Sequence, residues 1–505
     1  MNEIKNALKD KELKAHFDDN PDSISKFEVN KYFPILKRKI DGIFTPKNLD
    51  QFLSLLKIAI RNNMQLIPMS SIFDFHGSTS TNGGFICDLR SLNEISKIRG
   101  SPMEGMSADI QPGVSFRQLN EKLKSYNMRV VLPLRLPADT SVLSCYYGRN
   151  PLLESNKYEQ HQDWRILTYQ IALAKKRGII IGLGSEGLET GGDPGDYPYS
   201  PRCDLGRMLL GAIGAFGFIM RITPKLKFSL DKLEILYAYG DDLMDLLNKV
   251  RKTTLATDAA EVAMIGSSRA IAGYLSCIQN DYDNFLNKLP KWTAILAIGG
   301  EQELIDVEKA DLTEYGTKNG LSLGVEPLAG MTNILKQEFR VPENVSKSFD
   351  IAPHLRIEFY TTANSLTKIQ LAMDDFFKKN KIDESEIGFI VNSLEMGRSY
   401  FCEYQLHYNI KNGEIDENNL PNVGNLNLKD LYKTSYKRII ELGGIINIPR
   451  NKITAKLLYP LNPNYYELLR VLKYTLDPKN VMHPQILFNS EGGIDPKTIQ
   501  IKQVV

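Results

Sequence analysis

Residues 178–197 read GIIIGLGSEGLETGGDPGDY and put Gly182, Gly184 and Gly187 in G-x-G-x-x-G spacing directly behind an apolar run. A dinucleotide fingerprint with that spacing needs a strand before it and a helix after it, because the pyrophosphate rests on the helix N-terminus. The strand is there, but LETGGDPGDYPYSPRCD follows, with a Gly-Gly, a Pro-Gly and three prolines. Such a stretch has no room for an amphipathic helix. Upstream, ILTYQIAL (166–173) and GIIIGLGS (178–185) are apolar runs parted by the basic turn AKKR. The pattern predicts a β-hairpin, so a bound nucleotide belongs elsewhere in the chain.

At 505 residues the chain exceeds one core and is expected to form two or three domains. Its 42% hydrophobic and 24% charged residues are those of an ordinary globular protein. A formal charge of +2 gives no electrostatic case for nucleic acid or an anionic membrane. The first twenty residues are charged throughout, unlike a signal peptide, and the longest apolar run, LLGAIGAFGFIM (209–220), is too short to span a bilayer. A cytoplasmic location is the expectation. Cys87, Cys145, Cys203, Cys277 and Cys402 never form a C-x-x-C pair, which argues against a disulfide framework, a zinc site or an iron–sulfur site. No internal repeat stands out.

Along the first half, GIFT precedes a helix from about Lys47 to Asn62, entered at Thr45-Pro46. Leu49, Phe52, Leu53, Leu56 and Ile60 share one of its faces. QLIPM and GFICDL read as strands around a glycine-rich loop, which makes an α/β unit. ADIQPG is a strand ending in a turn, Ser115 caps a helix through FRQLNEKLKSYN, and RVVLP is another strand. Residues 134–165 read as irregular. Beyond about 229, strands LEILYAYG, WTAILAIGG, LRIEFYTT, GFIVNSL and YFCEYQLHYNI interleave with helical segments. They predict a sheet with helices on one face.

Two loops of the first half have the composition of anion cradles. PMSSIFDFHGSTSTNGG (68–84) offers small residues and the hydroxyls of Ser78, Thr79, Ser80 and Thr81. GAIGAFGFIMRIT spaces Gly211, Gly214 and Gly217 so that backbone can approach a planar ligand; tight turns in a packed core are the alternative. Five motifs in order then matter: Pro68, Asp88-Leu89, Gln111-Pro112-Gly113, Gly211/Gly214/Gly217 with Phe218-Ile219, and Asp477-Pro478-Lys479-Asn480-Val481-Met482-His483-Pro484. Over nearly the whole chain this order resembles the vanillyl-alcohol oxidase and para-cresol methylhydroxylase (PCMH) superfamily. The branch it is most similar to is the FAD-linked oxidases that include D-lactate dehydrogenases and glycolate oxidase flavoprotein subunits.

That resemblance implies an α+β fold. A two-part FAD-binding domain of the PCMH type would span 1–228, split near 100. An α+β cap with an antiparallel sheet would span 229–450, and segment 451–505 would return to the FAD domain. It implies FAD as cofactor, with Pro68, His76 and the run Gly77, Ser78, Thr79, Ser80 and Thr81 at the pyrophosphate. Thr140, Ser141 and Ser144 together with Gly211, Gly214, Gly217 and Ile219 would wrap adenosine and isoalloxazine, and Asn480 and His483 would reach the ring. The expected partners are a small-molecule substrate and a separate electron acceptor, an iron–sulfur or electron-transfer flavoprotein subunit; a homodimer is compatible.

The chain departs from the metal-dependent 2-hydroxy-acid branch, whose cap carries an H-x-G-D-G-N-x-H run and a Glu-His-Gly. Here YFCEYQLHYN keeps only His407, and GGIINIPRNKIT has Ile448-Pro449-Arg450. One histidine does not hold a divalent cation, so no metal is expected. The loop after Pro68 also carries a longer insert than the family's usual phosphate loop. On the strand 400–409, alternation puts Phe401, Glu403, Gln405 and His407 on one face, and Tyr400, Cys402, Tyr404, Leu406 and Tyr408 on the other. His407 is the candidate general base with Glu403 orienting it, and Arg450 or Arg398 would pair with a substrate carboxylate. A solvated sheet face is the alternative. His76 reads as a phosphate or backbone partner rather than a covalent flavin link, and Cys145 and Cys203 as packed thiols.

The expected activity is FAD-dependent oxidation of a small hydroxylated or carboxylated substrate by hydride transfer to flavin. The alternatives are an oxidase or hydroxylase of a phenol, using Tyr400 or Tyr404, and a flavin-binding structural subunit of a larger redox complex. Gly184→Ala is expected to harm folding or FAD retention, with no effect on NAD binding.

Overall fold

The computed structural model describes residues 16–28, 30–101, 103, 105–157, 166–175, 178–185, 205–230, 232–279, 282–343, 352–409 and 419–488. The hairpin forms as the pattern predicts. Strand Ile166–Leu173 pairs antiparallel with Ile179–Gly184, from Leu173 opposite Ile179 to Thr168 opposite Gly184. Gly184 sits at φ +71, and a Cβ there would lie 2.3 Å from the Leu167 carbonyl oxygen, so glycine is required by the close strand pairing. Gly187 and Cys203 lie outside the described residues.

That hairpin joins a five-stranded antiparallel sheet ordered Ile179–Gly184, Ile166–Leu173, Phe218–Pro224, Ser107–Ile110, Ile95–Arg99. Beside it, a four-stranded sheet is ordered Phe17–Asp18, Gly42–Phe44, Phe85–Asp88, Leu66–Met69, its last three strands parallel. The parallel crossover is helix Leu49–Asn62, capped by Asn48, whose side chain accepts from the Gln51 N–H. The helix buries Phe52, Leu55, Leu56, Ala59 and Ile60 against Phe85 and Phe218, which locks the two sheets together.

The third sheet has six antiparallel strands: Lys232–Gly240, Trp292–Gly300, Val262–Ser267, Ile387–Leu394, Ser399–His407, His354–Thr361. Helices Leu243–Thr257, Gln302–Lys318, Ala363–Lys379 and Leu428–Glu441 cover one face, burying Leu246, Leu312, Ile369 and Leu431 against Leu296, Ile357 and Tyr404. The opposite face is covered too, which the strand pattern did not show. Helices Ser268–Gln279 and Met331–Glu338, with Leu134 and Leu153 of the first half, pack on Met264, Ile295, Ile390 and Phe401.

Two local readings change. RVVLP forms only the short strand Met128–Arg129, paired with Lys227–Phe228. Within 134–165, helix Val142–Tyr147 appears, started by Ser141, whose hydroxyl accepts from the Ser144 N–H at 3.1 Å. Six residues are too few for a visible period.

Candidate functional site

Strand Leu66–Met69 ends at its carboxyl edge in the loop expected to hold phosphate, the usual ligand side of a parallel sheet. Pro68, Ser70, Ser71, Asp74, His76, Ser78 and Thr79 line a cavity of about 1020 Å³, open mouth included. Thr140, Ser144, Tyr147, Gly214, Gly217, Ile219, Ile448 and Arg450 also line it.

Inside the loop the donors are arranged differently from the expectation. The Asp74 carboxylate accepts from the Ser78 N–H and hydroxyl at 2.8 and 2.9 Å, and from the Thr79 N–H and hydroxyl at 2.9 and 2.6 Å. Arg38 approaches it at 3.4 Å. Burial alone would raise this carboxyl; Arg38 and the Thr79 and Ser78 bonds outweigh burial and hold it below its ordinary 3.8. Ser78 and Thr79 therefore organise the loop around Asp74. Thr81 donates to the Gly83 carbonyl, and Gly77, Ser80 and Thr81 do not line the cavity. The loop residues that line the cavity are Ser70, Ser71, Phe73 to His76, Ser78 and Thr79.

Thr140 lines the cavity, is 3% exposed, and its hydroxyl has no hydrogen-bond partner. An orphaned buried hydroxyl on a cavity wall calls for a ligand. Ser144 lines the wall beside it, whereas Ser141 is the helix cap and donates to the Pro112 carbonyl at 2.5 Å. The cavity's hydroxyl-rich lining and this orphan fit a polar cofactor such as FAD.

The three glycines face protein. A Cβ on Gly211 would meet Ile448 at 2.4 Å, on Gly214 would meet Pro68 at 2.6 Å, and on Gly217 would meet the Ala172 carbonyl at 2.7 Å. Close packing of the wall demands glycine at all three positions, and Gly214 and Gly217 also line the cavity. The C-terminal motif likewise braces the wall from behind. Met482 bridges Leu66 beside the strand, His483 Nε2 lies 2.7 Å from the Ser78 carbonyl, and neither Asn480 nor His483 lines the cavity.

A second cavity of about 320 Å³ shares His76, Ile448 and Arg450 with the first and adds Glu358, Tyr360, Tyr432, Tyr436, Ile446 and Asn447. His76 Nε2 stands 3.4 Å from Glu358 Oε2. Burial, then Arg450 and Arg356, holds His76 well below the ordinary histidine value, so the imidazole is neutral. Burial pushes Glu358 up to about 7, against the lowering pull of Arg450. The contact is thus between a neutral imidazole and a carboxyl poised near neutrality.

Among the expected catalytic residues, only Arg450 lies in either cavity. Glu403 and His407 do occupy the face opposite Tyr400 and Tyr404, as alternation predicted, but that face is buried rather than solvated. Glu403 sits 3.6 Å from Arg135 and 3.8 Å from Arg356, and accepts from Gln405 at 2.7 Å. It serves to hold two arginines. His407 stacks near His354, ring centroids 5.1 Å apart, and burial with His354 and Arg269 lowers its pKa well below the usual range. Arg398 is on the surface beside Glu395. Tyr400 and Tyr404 belong to the helix-side core and line neither cavity. The Cys145 thiol is buried and pushed up by burial, the state of a packed thiol.

Sequence reading missed Glu358 and Tyr360. The signal was present in HLRIEFYT: Leu355, Ile357 and Phe359 enter the helix-side core, so His354, Arg356, Glu358 and Tyr360 share the other face. Arg356 stacks over Phe75 at 4.5 Å, bringing this edge strand onto the cofactor loop.

Residues 40–164 match the family described as FAD binding domain. The glycolate oxidase subunit GlcD of Bacillus subtilis (strain 168) is 25% identical over 196 residues, a match spanning 37% of this chain and 37% of that protein. The fold is similar to that of 4-ethylphenol oxidase from Gulosibacter chungangensis, solved with isoeugenol, with a TM-score of 0.79 and 16% identity over 99% of this chain and 98% of the other. It is also similar to p-cresol methylhydroxylase solved with substrate, with a TM-score of 0.76 and 16% identity over 97% of this chain and 98% of the other. The chain therefore carries an FAD-binding domain over residues 40–164, and its fold is that of 4-ethylphenol oxidase and p-cresol methylhydroxylase.

Proposed function

We propose, from an FAD-binding domain set in that fold, that the protein is an FAD-dependent oxidoreductase that oxidises a CH–OH group of a small substrate bound in the cavity between His76, Glu358 and Arg450. The observation that carries this reading is the 3.4 Å contact of Glu358, in the smaller cavity, with His76, which lines both cavities. When bound, FAD supplies the two-electron acceptor. Glu358 takes the hydroxyl proton; a carboxyl near neutrality matches that task. His76, uncharged, hydrogen-bonds the same hydroxyl and keeps it aimed at the carboxylate. Arg450 pairs with an anionic substituent, and Tyr360, Ile446 and Ile448 pack against the carbon frame. Electrons then pass to a separate carrier.

A phenolic substrate is the second reading, favoured by Tyr360, Tyr432 and Tyr436 along the cavity and by the likeness to 4-ethylphenol oxidase. Arg450 would then meet a phenolate. An anaerobic screen separates the two: small hydroxy acids and 4-alkylphenols are added to the yellow protein, and bleaching of its flavin bands is followed. Bleaching by the hydroxy acids, lost in Glu358→Gln, is the expected result. Bleaching by phenols alone, or undiminished rates in Glu358→Gln, would overturn the first reading.

A further inference from the structure

We propose that Asn451 is a positioning residue that sets the approach of His76 to Glu358; the inference rests on the assignment of that pair as the proton-accepting group. Asn451 is fully buried. Its Oδ1 accepts from the Ile453 and Thr454 N–H groups, both at 3.0 Å, and so caps helix Lys452–Leu458. Its Nδ2 donates to the His76 carbonyl at 2.8 Å and to the Tyr432 hydroxyl at 2.9 Å. Four bonds use both lone pairs and both protons, and flipping the amide would set N–H against N–H. The capping acceptor needs only the oxygen, so an aspartate would serve a cap equally well. The amide protons answer to a different requirement.

That requirement lies at the other end of the chain of contacts. Tyr432 and Tyr436 stand one turn apart on helix Leu428–Glu441, with ring centroids 4.7 Å apart. The Tyr436 hydroxyl accepts from the Glu358 N–H at 3.0 Å. One helix therefore holds Glu358 directly through Tyr436 and the His76 loop through Tyr432 and Asn451. The two reacting groups come from the edge strand of the six-stranded sheet and from the cofactor loop, and this strut crosses between them.

Asn451→Asp keeps the cap and removes both donations, placing a carboxylate against the His76 carbonyl. The expected result is a folded protein that keeps its yellow FAD spectrum, with kcat down about 100-fold, KM changed less than about threefold, and the acid limb of the kcat–pH profile displaced. In the apoprotein, histidine-selective NMR gives a readout independent of turnover. The His76 resonance, assigned by its loss in His76→Gln, is expected not to titrate near pH 6 in the parent and to move toward ordinary histidine behaviour in Asn451→Asp. Tyr432→Phe, which removes one partner of the strut without a new charge, is expected to show a smaller displacement in the same sense. An unchanged pH profile and unchanged His76 titration in both variants would overturn the positioning role. Unchanged turnover in His76→Gln and Glu358→Gln, with the His76 titration still displaced in Asn451→Asp, would instead overturn the functional reading and keep the strut.

Discussion

Lys473 gives the sharpest test of how the C-terminal motif supports the cofactor wall. Its ammonium is 1% exposed and donates at 2.6 Å to each of three oxygens: the Ala215 carbonyl, Asp477 Oδ2 and the Met482 carbonyl. Asp477 in turn accepts from the Val481 and Met482 N–H groups at 2.9 and 2.7 Å. One buried ion pair thus ties the glycine-rich wall to the segment that lies along strand Leu66–Met69. Lys473→Met fills a similar volume but leaves a carboxylate and two carbonyls without their cation. Breaking a buried pair from one side costs about 3–5 kcal/mol. Asp477→Asn removes the counter-charge of the ammonium and sets an amide N–H against one of the backbone N–H groups of Val481 and Met482, and is expected to be comparably damaging. The double variant removes both charges together, so its loss should fall short of the sum of the single losses by about 1–3 kcal/mol. The assay is urea unfolding followed by flavin fluorescence and by circular dichroism, with the midpoint of flavin release read for all four proteins. A loss under about 1 kcal/mol in Lys473→Met, or additivity within about 0.5 kcal/mol, would refute the argument.

Four other outcomes follow from the same geometry. Glu358 has a folded pKa above its ordinary 4.5, so between about pH 4.5 and 7 the native state holds a proton the unfolded chain has lost, and stability falls as pH rises through that window. Glu358→Gln should therefore melt higher than the parent at pH 7.5 while its turnover drops at least about 100-fold, checked by thermal melts beside steady-state rates. Arg450→Met removes the main lowering influence on Glu358 and should move the acid limb of the pH–rate profile upward, as well as weakening anionic substrates, which KM measured across pH would reveal. Asp74 is the opposite case: its depressed pKa stabilises the loop above about pH 4 and the stabilisation is lost as pH falls below it, so flavin release on acidification should lose that step in Asp74→Asn, seen by fluorescence against pH. Gly184→Ala must place a Cβ against the Leu167 carbonyl at positive φ, for a loss of at least about 1–2 kcal/mol on thermal melting; an unchanged melt would contradict the strand register.

Much of the fold was legible because local patterns have short periods. Two apolar runs parted by a basic turn, 166–173 and 178–185, marked a hairpin, a helical stripe marked 49–62, and alternation sorted Tyr400 and Tyr404 from Glu403 and His407. The order of the loops along the chain pointed to the cofactor and the superfamily. Alternation could not say what covers a polar strand face. Face membership placed His407 beside Glu403, yet the face is long, and only its Glu358 and Tyr360 portion reaches the cavity. Loop chemistry misled in a similar way, since Ser78 and Thr79 have the hydroxyls a phosphate would want and Asp74 takes them.

By itself the sequence determined that a G-x-G-x-x-G run was not a nucleotide loop, because the helix it needs could not form, and that the chain would build an α+β flavoprotein. Only the tertiary structure decided which side chains meet. His76 follows a parallel strand, Glu358 rises from a sheet edge, and Arg450 and Asn451 precede a late helix; no periodicity links positions so far apart. Their meeting depends on how helix Leu428–Glu441 packs between the sheet and the cofactor loop, and packing at that distance is set by the whole buried core rather than by any local run of residues.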